Sequence, residues 1–525
     1  MPPVVRLSRL LLPLVLLAPL LPAWLHAAAE LTPQEQRGRR IYQEGTSPSG
    51  GEIVAVLGDA QIEVPASSVP CAGCHGRDGR GRPEGGVSPS DLRWESLTRP
   101  YGVTHPGGRT HPAYDERLLK RAIAMGIDPA GNPLHVAMPR FRLSLADMAD
   151  LTAYIKRLGN EPEPGVGDAE VRIGVVLPPA GPLTPLGQAV RAALEAQTAQ
   201  WNAQGGIYGR AIELRFLEPP AEAVARRDAV AAFLDREPVF AALAPFFSGA
   251  DAELAALFAE RQVPAVGPFT LHPRDDRGGA GRFLFYLLPG LETQGRALAR
   301  FARTLPAAGA AHPAIAAPAD PELEATVAAI TEASKGQAAP AVVRWPAGAL
   351  DPAATARELA AEAADPVFFL GSGEEAAALL HAAGPLGWRP HLLATGAAAD
   401  ASLFAAPSGF AGRIFVALPA LPGDPPPAYR ELAASRALPA GQLSAQLTAL
   451  AAAEVLAEGL RRTGRDLTRD GFIAQLEDLR KLQIVYGPPV SYTPLRHLGA
   501  NGAYILEVDA ARRSLVPAAG WVEAE

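Results

Sequence analysis

Hydrophobic and polar positions along the chain follow two different rhythms. From residue 170 onward, short apolar runs alternate with longer stretches of helical period. Residues 171–177, 211–216, 239–243, 264–266, 283–288, 314–316, 367–370, 392–394 and 414–417 read as strands, and residues 186–204 and 250–261 as helices. Apolar runs without strict alternation mark strands covered on both faces, as in parallel sheets. Strands separated by amphipathic helices build right-handed βαβ units. About 355 residues of this kind exceed one core and imply two lobes.

Ahead of that region the signals are sparser. Thr32-Pro33-Gln34-Glu35 has the form of a helix start, with Thr32 as cap, Pro33 in the first turn and Glu35 closing a capping box. That helix should run to about residue 44. Residues 53–57 and 61–64 flank Gly58-Asp59 and read as a hairpin, within a 26-residue stretch before the first cysteine. Ser144 opens a last helix, to about residue 158, with an apolar stripe of Leu145, Met148, Leu151, Tyr154 and Ile155. Residues 159–168 (GNEPEPGVGD) have the composition of a linker.

The first 29 residues read as a cleavable export signal: Arg6 and Arg9, an apolar run over 10–25, then Ala27-Ala28-Ala29 before Glu30. An uncleaved anchor is the alternative, although the run is short of the roughly twenty residues a span needs. No later segment reads as long enough to span, so a periplasmic location is expected. Formal net charge is −7, becoming −9 without Arg6 and Arg9, and no basic block points to nucleic acid.

The densest chemistry lies at Cys71-Ala72-Gly73-Cys74-His75, and these are the only two cysteines in the chain. Two thiols at this spacing add to the two vinyl groups of one haem, and the adjacent imidazole reaches its iron. We therefore expect one covalent haem c, attached at Cys71 and Cys74, with His75 as an iron ligand. A redox disulfide between the pair is a weaker reading. So is zinc, which needs two further ligands where only histidines such as His105 and His111 are on offer. Met138, in an Ala-Met-Pro-Arg-Phe segment 63 residues after His75, is the expected second axial ligand. His135, His111 or an open site are the alternatives. Met125 and Met148 fall at apolar positions of helices, where core packing is the expected role.

Residues 30–160 resemble class I c-type cytochromes, through the first helix, the C-A-G-C-H-G run and the M-P-x-F-x-L-S ending with Y-I-K-x-L. Residues 170–515 resemble type I periplasmic solute-binding proteins of the branched-chain amino-acid and amide-binding group. The likeness rests on IGVVLPPAGPLTPLG at 173–187, WNAQGGIYGR at 201–210, RQVPAVGP at 261–268 and the late YGPPVSYT and GAYILEV segments. Together these imply a small all-α cytochrome c domain (30–160), a linker (161–169) and a two-lobed α/β periplasmic-binding-protein fold (170–525). The lobes should be joined by three crossovers, with the ligand in the cleft at the strands' carboxyl ends.

The second resemblance implies ligand contacts at Ser248, matching a serine offered to a ligand carboxylate, and at Phe269 and Thr270. Plain helix capping is the alternative for Ser248 and Thr270. Where amino-acid binders place a tyrosine, this chain has Ala316-Ala317-Pro318. Where they place an acid for the ammonium group, it has Gly396-Ala397-Ala398-Ala399. Glu374 reads as a solvated helix start. With Phe246, Phe247 and Phe269 at hand, a small apolar or aromatic solute, carrying a carboxylate or not, is expected over a free amino acid.

No G-x-S-x-G, H-E-x-x-H or phosphate-binding loop occurs, so no catalytic constellation is expected. The reading is an exported electron carrier with a fused solute-binding module in a periplasmic oxidation pathway. Its partners would be a dehydrogenase or another cytochrome, and a small solute. A transport or sensing receptor serving an ABC permease, with an accessory haem domain, is the alternative, and a haem-based gas sensor is a third.

Overall fold

The computed structural model describes residues 31–524, apart from 82–85, 106, 160–162, 275–278, 307–311 and 422. The export signal and residues 161–162 of the expected linker lie outside the described residues. The chain forms two compact units that part after residue 162.

In the first unit, the Pro33–Glu44 helix starts as its residues dictate. Thr32 accepts from the Glu35 amide at 3.2 Å and the Glu35 carboxylate accepts from the Thr32 amide at 2.7 Å. This helix crosses the Leu145–Ile155 helix, which Ser144 caps through the Asp147 amide. The crossing is close enough to demand glycine, because a Cβ on Gly38 would lie 2.0 Å from the Asp150 carbonyl oxygen. Arg37 grips the Asp150 carboxylate with two bonds, at 2.6 and 3.0 Å, and the Tyr42 and Tyr154 rings lie 5.5 Å apart. The Glu116–Met125 helix contributes Leu119 and Ile123 to the same core.

The hairpin is present, as Val54–Leu57 paired antiparallel to Ile62–Pro65. Its turn places Gly58 and Gln61 in the left-handed region, at φ 61° and 49°. The domain is helical around its motif, but the all-α description needs refinement. The insert's inner strand also pairs with Arg140–Arg142, Ala55 facing Phe141, so a three-stranded antiparallel sheet forms. This sheet ties the insert to the segment that directly follows Met138.

The second unit holds two sheets. The first has five parallel strands in the order Leu284–Phe285, Ala265–Val266, Ala241–Leu243, Glu170–Val176, Ala211–Leu217. The second has seven: Ala341–Trp345, Ala314–Pro318, Val367–Phe369, Leu392–Thr395 and Ile414–Leu418 run parallel, then Gly502–Asp509 and Ser514–Glu523 follow antiparallel. Between these elements the chain passes from one sheet to the other through residues 286–290, 419–442 and 480–501. The first and last connections are bonded together. Tyr492 donates its hydroxyl to the Tyr286 carbonyl at 3.2 Å, and His497 stacks on Phe285 at 4.2 Å.

The expectation that no segment after the leader reaches spanning length is corrected by the Leu443–Thr463 helix. It has 21 residues, and by length and composition alone it could cross a membrane. Its apolar side is instead packed in the first lobe, where Ala449, Leu450, Val455, Leu456 and Leu460 are fully buried.

Candidate functional site

In the first unit, Cys71–His75 forms a single helical turn between Pro70 and Gly76. Gly76 leaves the helix at φ 74°, a conformation open to glycine. The buried Tyr42 hydroxyl donates to the Gly76 carbonyl at 2.7 Å, so the first helix fixes the exit of the turn. Spacing of i, i+3 puts both thiols on one side of the turn, and neither is in a disulfide. Cys74 is exposed and Cys71 half-buried; burial pushes the Cys71 thiol up to about 12.

His75 is buried, with Nδ1 2.9 Å from the Ser90 carbonyl. A carbonyl only accepts, so Nδ1 carries the hydrogen and Nε2 keeps its lone pair. Burial draws the pKa of His75 below its ordinary value, while the Ser90 carbonyl and the Asp91 charge oppose that. The result is a neutral imidazole in one tautomer, which is the form a metal takes as ligand. Asp91 is held by Arg93 at 2.7 Å and by Ser96 at 2.8 Å, which steadies the loop presenting the Ser90 carbonyl.

Met138 is half-buried against the core of this unit, its amide donating to the His135 carbonyl at 2.9 Å. The alternative ligands are differently placed. His111 donates from Nδ1 to the Pro112 carbonyl at 2.8 Å, so its Nε2 accepts from His105 Nε2 at 3.0 Å, and both ring nitrogens are occupied. His135 is exposed, and its Nδ1 accepts from the Ala137 amide at 3.2 Å. Met148 packs against the core as expected. Met125 does not: it is 62% exposed, because its helix ends there and Gly126 turns the chain away. Among the described residues, no group of three or more His, Cys, Asp or Glu is placed to hold a metal ion.

In the second unit, the candidate contacts sit at carboxyl ends of first-sheet strands, where ligands of open α/β sheets bind. Ser248 is half-buried; its amide donates to the Phe269 carbonyl at 3.1 Å and its carbonyl accepts from Arg226 at 2.8 Å. It does not cap the Asp251–Glu260 helix, whose cap position is Ala250. The Thr270 hydroxyl donates to Asp251 and accepts from the His272 amide at 2.8 Å. Phe269 is half-buried against the first-lobe core. Phe247 is plain core, 5.4 Å from Phe258, whereas Phe246 lies under the Arg226 guanidinium at 5.8 Å. Glu374 is exposed in the first turn of a helix capped by Ser372, a solvated helix start.

Two residues went unremarked in the sequence. Arg226 is buried, donates to the Pro220, Ala221 and Ser248 carbonyls, and has its pKa lowered by burial. Asp251 is buried and accepts from the Gly249 amide at 3.0 Å. The S-x-x-D spacing of Ser248 and Asp251 is a visible signal for the second; nothing local marks the first.

Residues 170–513 match the family model for periplasmic binding proteins. The chain belongs to the periplasmic binding protein family. Residues 68–159 match the family model for cytochrome c, so the chain joins a cytochrome c domain to a type I periplasmic binding protein domain. No curated protein matches. Several solved structures share the fold of the second domain at low identity. A fatty acid ABC transporter substrate-binding protein from Thermomonospora curvata is 18% identical, covering 70% of this chain and 95% of its own, with a TM-score of 0.53. A branched-chain amino-acid ABC transporter from Thermus thermophilus with bound valine is also 18% identical, over 67% and 97%, at 0.54. A periplasmic binding protein type 1 from Bordetella pertussis Tohama I is 20% identical, over 66% and 100%, at 0.53.

Proposed function

We propose that this is an exported, periplasmic electron carrier whose binding domain recognises a solute of the oxidation pathway it serves. The observation that carries the reading is the His75 imidazole, fixed by the Ser90 carbonyl with its Nε2 lone pair available, on the same turn as both thiols. In a cytochrome c domain these residues fit a haem: Cys71 and Cys74 would hold it through thioethers, and His75 and Met138 would hold its iron. When bound, the group supplies one-electron transfer. The chain's own residues position it: Tyr42 pins the end of the turn, Ser90 orients His75, and the hairpin anchors the segment after Met138. The occupied nitrogens of His111 favour Met138 as second ligand.

The binding domain supports recognition rather than catalysis. Partners would be a periplasmic dehydrogenase or a second cytochrome, and a small solute. Two thirds of the chain being binding protein favours a second reading, a transport or sensing receptor that docks on an ABC permease.

Spectra and mass of protein exported alongside haem-maturation machinery test the reading. We expect the mass of one added haem and a weak long-wavelength band in the oxidised form, lost in Met138→Ala and kept in His111→Ala. Colourless protein of unmodified mass would refute it.

A further inference from the structure

We propose that the cleft takes an uncharged, apolar-bodied solute and discriminates against carboxylates; this rests on the solute-binding reading above. Binding a carboxylate in a water-poor cleft takes uncommitted N–H or O–H donors, or a cation. The strand-end segments of the first sheet at 177–183, 244–250 and 267–271 contain no Lys, Arg or His; His272, next along the third loop, faces Glu322 at 3.7 Å. The corresponding loops of the second sheet (319–323, 370–374 and 396–400) contain none either, but do contain Asp320, Glu322, Glu374 and Asp400.

Most backbone donors around Ser248 are already committed within the first lobe, while its own hydroxyl is left open, a neutral donor suited to an uncharged polar group. The Phe247 and Ser248 amides both bond the Phe269 carbonyl, at 3.0 and 3.1 Å, and the Ala250 amide bonds the Phe247 carbonyl at 2.8 Å. The Phe269 amide bonds the Pro245 carbonyl at 2.8 Å. The Gly249 amide and the Thr270 hydroxyl converge on the two carboxylate oxygens of Asp251. The protein's own carboxylate thus occupies two of the donors an incoming one would use.

Two arginines close to these strand ends are engaged as well. Arg226 is turned onto three carbonyls beside Asp251. Arg344, at the second sheet, bonds the Pro318 carbonyl at 3.2 Å and pairs with Glu324 at 2.8 Å. Nor do the second-lobe acids invite an ammonium, since Asp320 caps the Glu322 amide at 2.9 Å and Asp400 the Ser402 amide at 2.7 Å. What the first lobe leaves at its strand ends is apolar: Leu183 and Leu271 are 37% and 45% exposed, and Phe269 is half-buried.

Matched series test this on the full exported protein, by thermal shift followed by titration calorimetry. One series is phenylacetamide, phenylacetate and phenethylamine; the other is isovaleramide, isovalerate and isopentylamine. The amide of at least one series should raise the melting temperature and bind at least about tenfold more tightly than its carboxylate and its amine. In Asp251→Asn, the preference for amide over carboxylate should shrink by about tenfold, because an acceptor is lost and donors are released. Carboxylates or amines binding as tightly as the amides to the wild type would overturn the proposal while leaving solute binding intact. Silence from every compound would count against the solute-binding reading itself, and this inference would fall with it.

Discussion

The two units solve the placement of chemistry in opposite ways. In the cytochrome domain the reactive groups are neighbours in sequence, five residues on one turn, and the fold's task is to orient them with single bonds from Tyr42 and Ser90. In the binding domain the candidate contacts come from loops separated in sequence, and their polar groups are mostly turned on one another, as Asp251, Thr270, Gly249 and Arg226 are. Charge differs too. Residues 31–160 carry 16 basic and 14 acidic residues, and residues 163–525 carry 30 and 39. A contiguous motif tolerates variation around it as long as its orienting bonds survive. A distributed cleft takes its character from which donors remain uncommitted.

The largest expected effect breaks the first half of that contrast. Cys71→Ser with Cys74→Ser should abolish pigment retention on the chain while the second unit still melts cooperatively, as read by haem-stained gels and calorimetry. Retained covalent pigment would mean the attachment lies elsewhere. Next, Arg226→Ala leaves three carbonyls without their donor and should cost about 3 kcal/mol in chemical denaturation. It should loosen the Ser248 loop, seen as faster amide exchange there. Gly38→Ala should cost about 2 kcal/mol in the first unit by forcing its crossing helices apart, read from the haem-band melt.

The smallest effect is pH-dependent. Burial pushes the Asp91 carboxyl up, yet the bonds from Arg93 and Ser96 together hold it below the ordinary carboxylate value. A carboxyl depressed in the folded state adds stability above its unfolded pKa of about 3.9, and loses it as pH falls through the folded value. Arg93→Ala should therefore cost less than about 1 kcal/mol, fully expressed above about pH 5 and closing below about pH 3. A difference that persists in acid would show that Arg93 acts through packing.

Legibility tracked the same contrast. The Cys71–His75 turn was legible because its residues are consecutive, and the parallel strands because burial on both faces leaves unbroken apolar runs such as residues 171–177. Ala341–Trp345 escaped notice because it is an edge strand with two exposed residues at its start. Ser514–Glu523, exposed over much of its length and containing Pro517 and Gly520, packs Leu515, Ala519 and Val522 inward at a spacing too irregular to betray a strand. Met125 sat at an apolar helical position, but the helix stops before anything covers it. Arg226 and Asp251 meet only through tertiary packing, which spacing along a chain does not encode.

The Leu443–Thr463 helix has a consequence beyond the folded state. A chain threaded unfolded through a secretion channel would offer these 21 residues to lipid before any partner helix exists to hide them. Glu454 and Glu458 interrupt the stretch, and each ionised group at mid-bilayer depth costs about 3 kcal/mol. Once folded, Glu454 accepts from the Val485 and Tyr486 amides at 2.8 and 3.3 Å. The same acid that would disfavour lodging in lipid thus clasps, in the folded chain, the last connection between the two lobes.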